Sequence, residues 1–299
     1  MKKMLSPEQL VSSDFDTVHS AYRDYMLLIN ASPFTIKAYL SNFRKYYEYC
    51  NKVGIAEIYD QDYVRAYLLE RVNHGAKWQT MNNIYSAMRK LFREVLELPW
   101  SFKKLPRPQK ERTLPQIFSQ QEIQKLIEGS QVNKKHQAII ITLYATGLRA
   151  GELIHLKPED IMSDRHQILV RKGKGSKDRY IDIPELLIEI LRKYYRQYRP
   201  EEYLFNGRNK GSKLSHGAIR WSIRQSKKRM GIRKKGTAHT LRHCYATHHL
   251  ESGTDLVYLQ ENLGHKHIKT TARYIHLCQD RYQHINHPIT HMTIPMMKD

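Results

Sequence analysis

The sequence predicts a mainly α-helical protein of two domains, a small N-terminal bundle of four helices followed by a mixed α/β domain with a small β-sheet. Helical spacing of apolar and aromatic residues through the first hundred positions predicts the bundle. Prolines and basic residues then interrupt the pattern, and beyond them several helical segments surround one pair of short strands. A chain of 299 residues is long enough for two domains that each have a core.

The first domain is predicted to span residues 1–102. Its helices are predicted at 15–29, 34–52, 61–72 and 78–96. In the second of these, four residues recur at every fourth position and predict an apolar and aromatic stripe that packs into the core: Thr35, Tyr39, Phe43 and Tyr47. Gly54 follows that helix and predicts its end.

Residues 103–118 are predicted to form a basic linker. Pro106, Pro108 and Pro115 lie there among lysines and arginines, with little apolar content. Such a segment is either a solvated connector between the domains or a linker that lies along the DNA backbone. The charge favours the second interpretation.

The second domain is predicted to span residues 119–299. Ser119 and Glu122 have the spacing of a capping box at its first helix. A buried helix is predicted at 136–145, and Gly147 ends it. The remaining predicted elements are strands at 168–171 and 179–183, joined by a lysine-rich hairpin turn at 172–178, and helices at 184–198, 215–230, 239–252, 255–263 and 269–277.

The charge of the chain predicts a polyanionic partner. Fifty Lys and Arg against 29 Asp and Glu give a formal charge of +21, and the pI is near 9.8. Residues 203–250 contain 12 Lys or Arg and no acidic residue, which a solvated surface of mixed charge does not explain. Nucleic acid is the first candidate for this partner. A membrane surface is the second, but the basic residues are not confined to one amphipathic helix beside an apolar anchor. The sequence has no apolar run of membrane-spanning length, and its three scattered cysteines fit a reduced, cytoplasmic protein.

Cleaving a DNA phosphodiester without a metal needs a nucleophile, a base for it, an acid for the leaving 5′ oxygen, and fixed cations for the phosphate oxygens. A tyrosine needs the base because its pKa of about 10 keeps it protonated at neutral pH. The sequence offers six candidates for these tasks, in chain order: Arg149, Lys174, His239, Arg242, His265 and Tyr274. His239 and Arg242 are three apart and so share one face of a helix.

These residues lie in an ordered set of motifs. Residues 146–153 read T-G-L-R-A-G-E-L, Lys174 is in the hairpin turn, residues 239–243 read H-T-L-R-H, and residues 263–265 read L-G-H, nine residues before Tyr274. In order and spacing this set resembles the tyrosine recombinases of the phage integrase type, and the Xer recombinases most closely. The resemblance implies that the first domain is a core-binding, SAM-like bundle and the second a tyrosine-recombinase catalytic domain.

The resemblance also implies a role for each residue. Tyr274 attacks the scissile phosphate and forms a 3′-phosphotyrosine. Arg149 and Arg242 clamp the non-bridging oxygens, and His265 adds a hydrogen bond. His239 accepts the tyrosine proton, and Lys174, with Lys172 and Lys177 as alternatives in the same turn, protonates the leaving oxygen. Glu152 orients this cluster, and no cofactor or metal is needed. His243, beside the pair on the same helix, is interpreted as structural.

The resemblance further implies a homotetramer on two sites of double-stranded DNA, in which a C-terminal arm at about 282–299 docks on a neighbouring protomer. The alternative is that this arm packs on its own domain. We expect no separate arm-binding domain and a nucleoid-associated protein of bacterial type. Integration, excision, inversion and dimer resolution all fit this chemistry. Two alternatives remain open from the sequence: a type IB topoisomerase, which rejoins the same strand, and a non-catalytic DNA-binding protein on the same scaffold. A metal site in the histidine-rich segment 239–291 is disfavoured because it lacks a recognisable ligand motif.

Overall fold

The computed structural model describes residues 6–109, 116–171, 178–209 and 211–278. The chain divides into two compact units, Met1–Thr113 and Leu114–Asp299. Leu105 is buried in the core of the first unit and Phe118 in the core of the second. Packed residues therefore reach into both ends of the predicted linker. The linker's bounds stay a prediction, because residues 110–115 lie outside the described residues.

The first unit is a bundle of helices. Its helices are α1 (Pro7–Val11), α2 (Phe15–Leu28), α3 (Pro33–Val53), α4 (Gln61–Asn73) and α5 (Trp78–Lys90). The sequence did not predict α1, which begins with a capping box between Ser6 and Gln9. The other four lie where the apolar spacing predicted them.

Helix α3 shows how the sequence sets the packing of this unit. The Ser32 hydroxyl accepts a hydrogen bond from the Thr35 N–H, and Gly54 ends the helix in the left-handed conformation at φ 78°. The fully buried positions are Phe43, Tyr46 and Cys50. The predicted stripe drifts from this face because each step of four residues turns about 40° beyond a full turn.

The predicted helix 78–96 is two elements in the structure. α5 ends at Lys90, and a wider turn, Leu91–Val95, continues it with a hydrogen bond from the Leu96 N–H to the Leu91 carbonyl, five residues back. Leu91, Phe92, Val95 and Leu96 are all buried. The wide turn thus brings four closely spaced apolar side chains into one core.

The second unit is helical with one small antiparallel sheet. Its helices are α6 (Gln120–Glu128), α7 (Lys134–Thr146), α8 (Ala150–His155), α9 (Glu185–Tyr198), α10 (His216–Arg229), α11 (Ala238–Glu251), α12 (Leu256–Leu263) and α13 (Ile268–Ala272), with single 3₁₀ turns at Pro158–Asp160 and Ile275–Leu277. Its strands are β1 (Ile161–Met162), β2 (Gln167–Val170) and β3 (Arg179–Asp182), in that order across the sheet. β1 was not predicted.

α7 lies at the centre of this unit, packed against α6, α9, α10 and α11. Its buried residues include Ile139, Ile140 and Leu143, and on the sheet Ile168 of β2 pairs with Ile181 of β3 in the same core. Within the described part of the chain, no helix combines the length and apolar character that a membrane span needs.

The predicted helix 269–277 is wrong in its extent. α13 ends at Ala272, and the Tyr274 N–H bonds to the Thr271 carbonyl at 2.9 Å while the Leu277 N–H bonds to the Tyr274 carbonyl at 2.9 Å. These three-residue spacings tighten the backbone and end the α-helix. Tyr274 therefore lies at a junction between a short helix and a 3₁₀ turn.

Candidate active site

The end of α7 places the first arginine. Gly147 ends α7 in the left-handed conformation, φ 61°, and a β-carbon there would lie 2.5 Å from the Tyr245 ring. The chain then turns into α8 with Arg149 at its N-cap. The Arg149 backbone N–H and the Nη1 atom both donate to Glu152, each at 2.8 Å. Glu152 thus fixes the position of Arg149.

Glu152 is a buried carboxylate surrounded by arginines. Its side chain is 7% exposed. Arg179 donates to both carboxylate oxygens at 3.0 Å, and Arg242 Nη1 lies 4.0 Å away. Burial raises the pKa of Glu152, but the hydrogen bonds and charges of Arg179 and Arg149 lower it by more than burial raises it. Its pKa therefore lies below the ordinary value. Glu152 is therefore ionised at neutral pH and accepts hydrogen bonds from Arg149 and Arg179.

Sequence reasoning missed Arg179. This residue begins β3, its side chain is 12% exposed, and besides Glu152 it donates from Nε to the Asn262 carbonyl at 2.8 Å. A β-carbon at Gly264 would lie 3.1 Å from the Arg179 side chain. The available signal was an arginine directly after a lysine-rich turn. Its contacts depend on the approach of α12, which local sequence does not reveal.

Arg242 is the most buried cation of the site. It lies on α11, is 1% exposed, and donates to the Gly147 carbonyl at 2.7 Å and to the Leu263 carbonyl at 2.6 Å. Burial, together with the charge of Arg149, lowers its pKa to about 10, which leaves it protonated at neutral pH. Arg242 joins the end of α7 to the end of α12.

His265 follows the left-handed Gly264 that ends α12. Arg242 Nη2 lies 3.0 Å from His265 Nε2, and His265 Nδ1 lies 2.9 Å from the Thr271 hydroxyl. Because a guanidinium can only donate, Nε2 accepts and Nδ1 carries the proton. Burial and the charge of Arg242 lower the pKa of His265 to about 4, so the ring is neutral.

Tyr274 is brought to the same site. It is 6% exposed and packs with Tyr245, Leu259 and Leu263. Its phenol oxygen lies 3.1 Å from Nδ1 of His243. Burial raises its pKa and the charges of Arg242 and Arg149 oppose this, leaving the pKa above the ordinary value. The phenol is therefore protonated at neutral pH.

Two of the predicted catalytic residues, His239 and Lys174, have no described contact with the Tyr274 phenol. His239 is the second residue of α11 and is exposed, and its ring centroid lies 4.2 Å from that of His243. Among the described residues, the hydrogen bond of the Tyr274 phenol goes to His243 rather than to His239. Lys174 lies outside the described residues.

The arrangement combines a nucleophile with fixed cations. Glu152 contacts Arg149 and Arg242, and Arg242 contacts His265. The rings of His265 and Tyr274 are stacked, with their centroids 6.2 Å apart. Two guanidinium groups beside a phenol suit attack on a phosphate, because they stabilise the charge that develops on its oxygens.

A basic surface lies on α10 of the same unit. Ile219, Ile223 and Ser226 face the core. Arg220, Arg224 and Lys228 recur every four residues on the exposed side, which is the spacing of one helical ridge.

Comparison with known proteins identifies the family. The profile described as "Phage integrase family" matches residues 116–281, more than half of the chain, and that of "Phage integrase, N-terminal SAM-like domain" matches residues 20–102. The chain belongs to the phage integrase family. It is a tyrosine-type site-specific recombinase, an enzyme that cleaves and rejoins DNA. The predicted fold class, a SAM-like bundle followed by an integrase catalytic domain with a small sheet, is confirmed.

Similar recombinases include several of the Xer type. The chain is 36% identical over 253 residues to a putative integrase/recombinase, y4qK, of Sinorhizobium fredii, covering 83% of this chain and 81% of that protein. It is 34% identical to the tyrosine recombinase XerA of Thermococcus onnurineus, covering 85% and 88%. A solved lambda integrase dimer bound to a COC′ core site has the same fold, with a TM-score of 0.70 at 18% identity over 91% of this chain and 81% of that one.

Proposed function

We propose that this recombinase cleaves double-stranded DNA by attack of Tyr274 on the scissile phosphate, which gives a 3′-phosphotyrosine and a free 5′ hydroxyl. The observation that carries the proposal is the position of a buried, protonated phenol beside Arg242 and His265. A 5′ hydroxyl of another strand then attacks the phosphotyrosine. The phosphodiester energy is thereby conserved, and no cofactor is required.

The other side chains have these proposed roles. Arg149 and Arg242 hold the non-bridging oxygens, and Glu152 orients the arginines. His265 adds a hydrogen bond to the phosphate from Nε2, for which its ring proton moves from Nδ1 to Nε2 and the phosphate replaces Nε2 as the acceptor for Arg242. Lys174 protonates the leaving 5′ oxygen. A histidine of α11 accepts the proton of Tyr274, and the sequence predicts His239 for this role.

The ridge of α10 formed by Arg220, Arg224 and Lys228 is proposed as a DNA contact. It is supported by the one-sided charge of residues 203–250, which contain 12 basic residues and no acidic one. Three cations on one exposed ridge follow a phosphate backbone better than a solvated face of mixed charge would.

The assembly is proposed to be a homotetramer on two DNA sites, with each tyrosine attacking in cis. The lambda integrase structure contains a dimer on a core site, and two such dimers would bring together the four strands that exchange. The C-terminal arm, about 282–299, lies outside the described residues and is proposed to dock on the neighbouring protomer. Such head-to-tail contacts close into a ring. The recombinase is proposed to act in the cytoplasm, on nucleoid DNA.

Covalent capture tests the proposed reaction. A library of randomised, nicked duplexes is incubated with the protein, adducts that survive denaturant are isolated, and the captured DNA is sequenced. The expected result is an adduct enriched for one sequence, attached through Tyr274. The Tyr274→Phe variant is expected to bind the recovered DNA with similar affinity and to form no adduct, because only the phenol oxygen is lost. An adduct formed by Tyr274→Phe would remove Tyr274 from this role.

A further inference from the structure

The sequence predicts a structural role for His243, but its side chain contacts the proposed nucleophile, the phenol oxygen of Tyr274. Its Nδ1 lies 3.1 Å from the Tyr274 phenol oxygen, and the two ring centroids are 5.4 Å apart. It is half-buried and follows Arg242 on α11. The distance is that of a formed hydrogen bond and lies within the reach expected of a general base.

The surroundings of His243 keep its ring neutral. Burial lowers its pKa to about 4, and the positive charges of Arg242, on the same helix, and Arg273, beside Tyr274, act in the same direction, as does His239. A neutral imidazole has one nitrogen with a free lone pair. When the ring proton is on Nε2, Nδ1 accepts the hydrogen bond of the phenol, whose own raised pKa keeps it protonated.

The geometry points to His243, rather than His239, as the group that takes the proton of Tyr274 during cleavage. This inference rests on the proposed reaction and names its base. As the phenol oxygen bonds to phosphorus, its O–H bond breaks and the proton passes to Nδ1, leaving an imidazolium. The bond from phosphorus to the 5′ oxygen breaks, and that oxygen takes a proton from the general acid. Strand rejoining reverses each transfer.

His239 is placed differently. Its side chain is exposed at the first turn of α11, and its ring contacts the ring of His243 at a centroid distance of 4.2 Å with the planes 64° apart. Of the two histidines, His243 therefore makes the hydrogen bond with the phenol, and His239 lies beside it. In sequence terms, the second histidine of H-T-L-R-H, and not the first, meets the nucleophile.

Three substitutions distinguish loss of the base from loss of the side-chain volume. His243→Asn keeps a hydrogen-bond acceptor near the position of Nδ1 but cannot take up a proton. His243→Phe keeps the ring volume and loses the hydrogen bond. His239→Asn removes the alternative base, one helical turn away. Each variant is compared with the native protein on the DNA recovered by covalent capture, by measuring single-turnover adduct formation between about pH 6 and pH 9, DNA affinity, and thermal unfolding.

The native protein is expected to have a nearly flat profile, because His243 is neutral throughout this range. In His243→Asn the phenol must ionise before it attacks, so the rate should rise about tenfold per pH unit. At pH 7 that variant should form adduct roughly 10²–10⁴-fold more slowly than the native protein, with unchanged DNA affinity. His243→Phe should show the same slope, and His239→Asn should keep the flat profile.

A flat profile in His243→Asn, or a steep one in His239→Asn alone, would overturn the assignment. A purely structural role of His243 would lower the unfolding temperature or the DNA affinity without creating the slope. Failure of the native protein to form any adduct would instead contradict the proposed reaction itself, so the two failures are distinguishable.

Discussion

At the scale of single residues, the site depends on one negative charge. Glu152 accepts hydrogen bonds from Arg149 and Arg179 and lies 4.0 Å from Arg242. It is the one carboxylate that contacts these three arginines in the described parts of the chain. Without it, three guanidinium groups would repel one another in a largely buried space. Glu152 thus lets the three arginines pack together in the absence of bound DNA.

Replacing Glu152 with Gln is expected to destabilise the fold by about 3 kcal/mol, near the lower end of the values for removing one charge of a buried pair. The pKa of Glu152 is depressed in the folded state, so its contribution is present at neutral pH and is lost as the pH falls through that folded pKa. The difference between native and variant free energies of unfolding, measured by urea denaturation, should therefore shrink at acidic pH.

Glu159→Gln provides the control. Glu159 pairs with Lys157 and Arg171, but its side chain is 63% exposed. Its loss should cost less than about 1 kcal/mol. If both substitutions lowered the free energy of unfolding by the same amount, the buried contacts of Glu152 would contribute no more to stability than an exposed ion pair.

At the scale of elements, β3 links the parts of the site. Arg179, at its first position, contacts Glu152 of α8 and the Asn262 carbonyl of α12, just before the loop that carries His265. The predicted acid Lys174 lies in the sequence between β2 and β3. We therefore infer that Arg179 is a positioning residue, which acts on the proposed phosphate site through Glu152 and the α12 end.

Arg179→Lys is expected to keep the charge but lose the two-pronged contact with Glu152. Small misplacements of catalytic groups are costly, so adduct formation should slow by about 10–100-fold while DNA affinity changes little. Single-turnover adduct formation and a binding titration measure the two effects. Arg192→Lys, which alters an arginine that is half exposed and paired with Glu185, should change neither. A matching loss of affinity in Arg179→Lys would indicate a direct DNA contact instead.

The same contacts explain what the sequence predicted and what it did not. Arg149 and His265 were predicted from motifs in which a glycine, Gly147 or Gly264, ends the preceding helix and so sets the local geometry. Arg242 was predicted from the H-T-L-R-H motif within α11. Arg179 was missed, because packing brings its partners Glu152 and Asn262 near it from 27 and 83 residues away along the chain. His239 and His243 differ by one helical turn, and only the path of the chain near Tyr274 decides which of them meets the phenol.

At the scale of the whole molecule, the chain combines two separate cores with a large positive charge of +21. Such a charge favours association with DNA over association with another equally charged protomer. An assembly of four protomers therefore needs specific apolar contacts. The predicted arm offers them with six apolar residues near the C-terminus: Ile285, Ile289, Met292, Ile294, Met296 and Met297.

Deleting residues 284–299 is expected to leave binding to a single site intact and to abolish the synaptic complex of two sites, because the apolar contact to the neighbour is lost. Native gels with one and two labelled duplexes measure both. Deleting only residues 298–299 removes none of the six apolar residues and should preserve synapsis. Synapsis and recombination at the full-length rate in the longer deletion would contradict the arm hypothesis.

The two backbone carbonyls held by Arg242 have a consequence for engineering. The guanidinium that is proposed to grip phosphate also fastens the end of α7 to the end of α12, through Gly147 and Leu263. Removing it would leave these buried carbonyl groups without donors, so a substitution of Arg242 would lower the stability of the fold as well as the activity. A variant that binds DNA and folds normally but does not cleave is therefore better obtained by replacing Tyr274 than by replacing Arg242. The Tyr274 phenol oxygen bonds to a side chain, and its loss leaves the two backbone carbonyls paired.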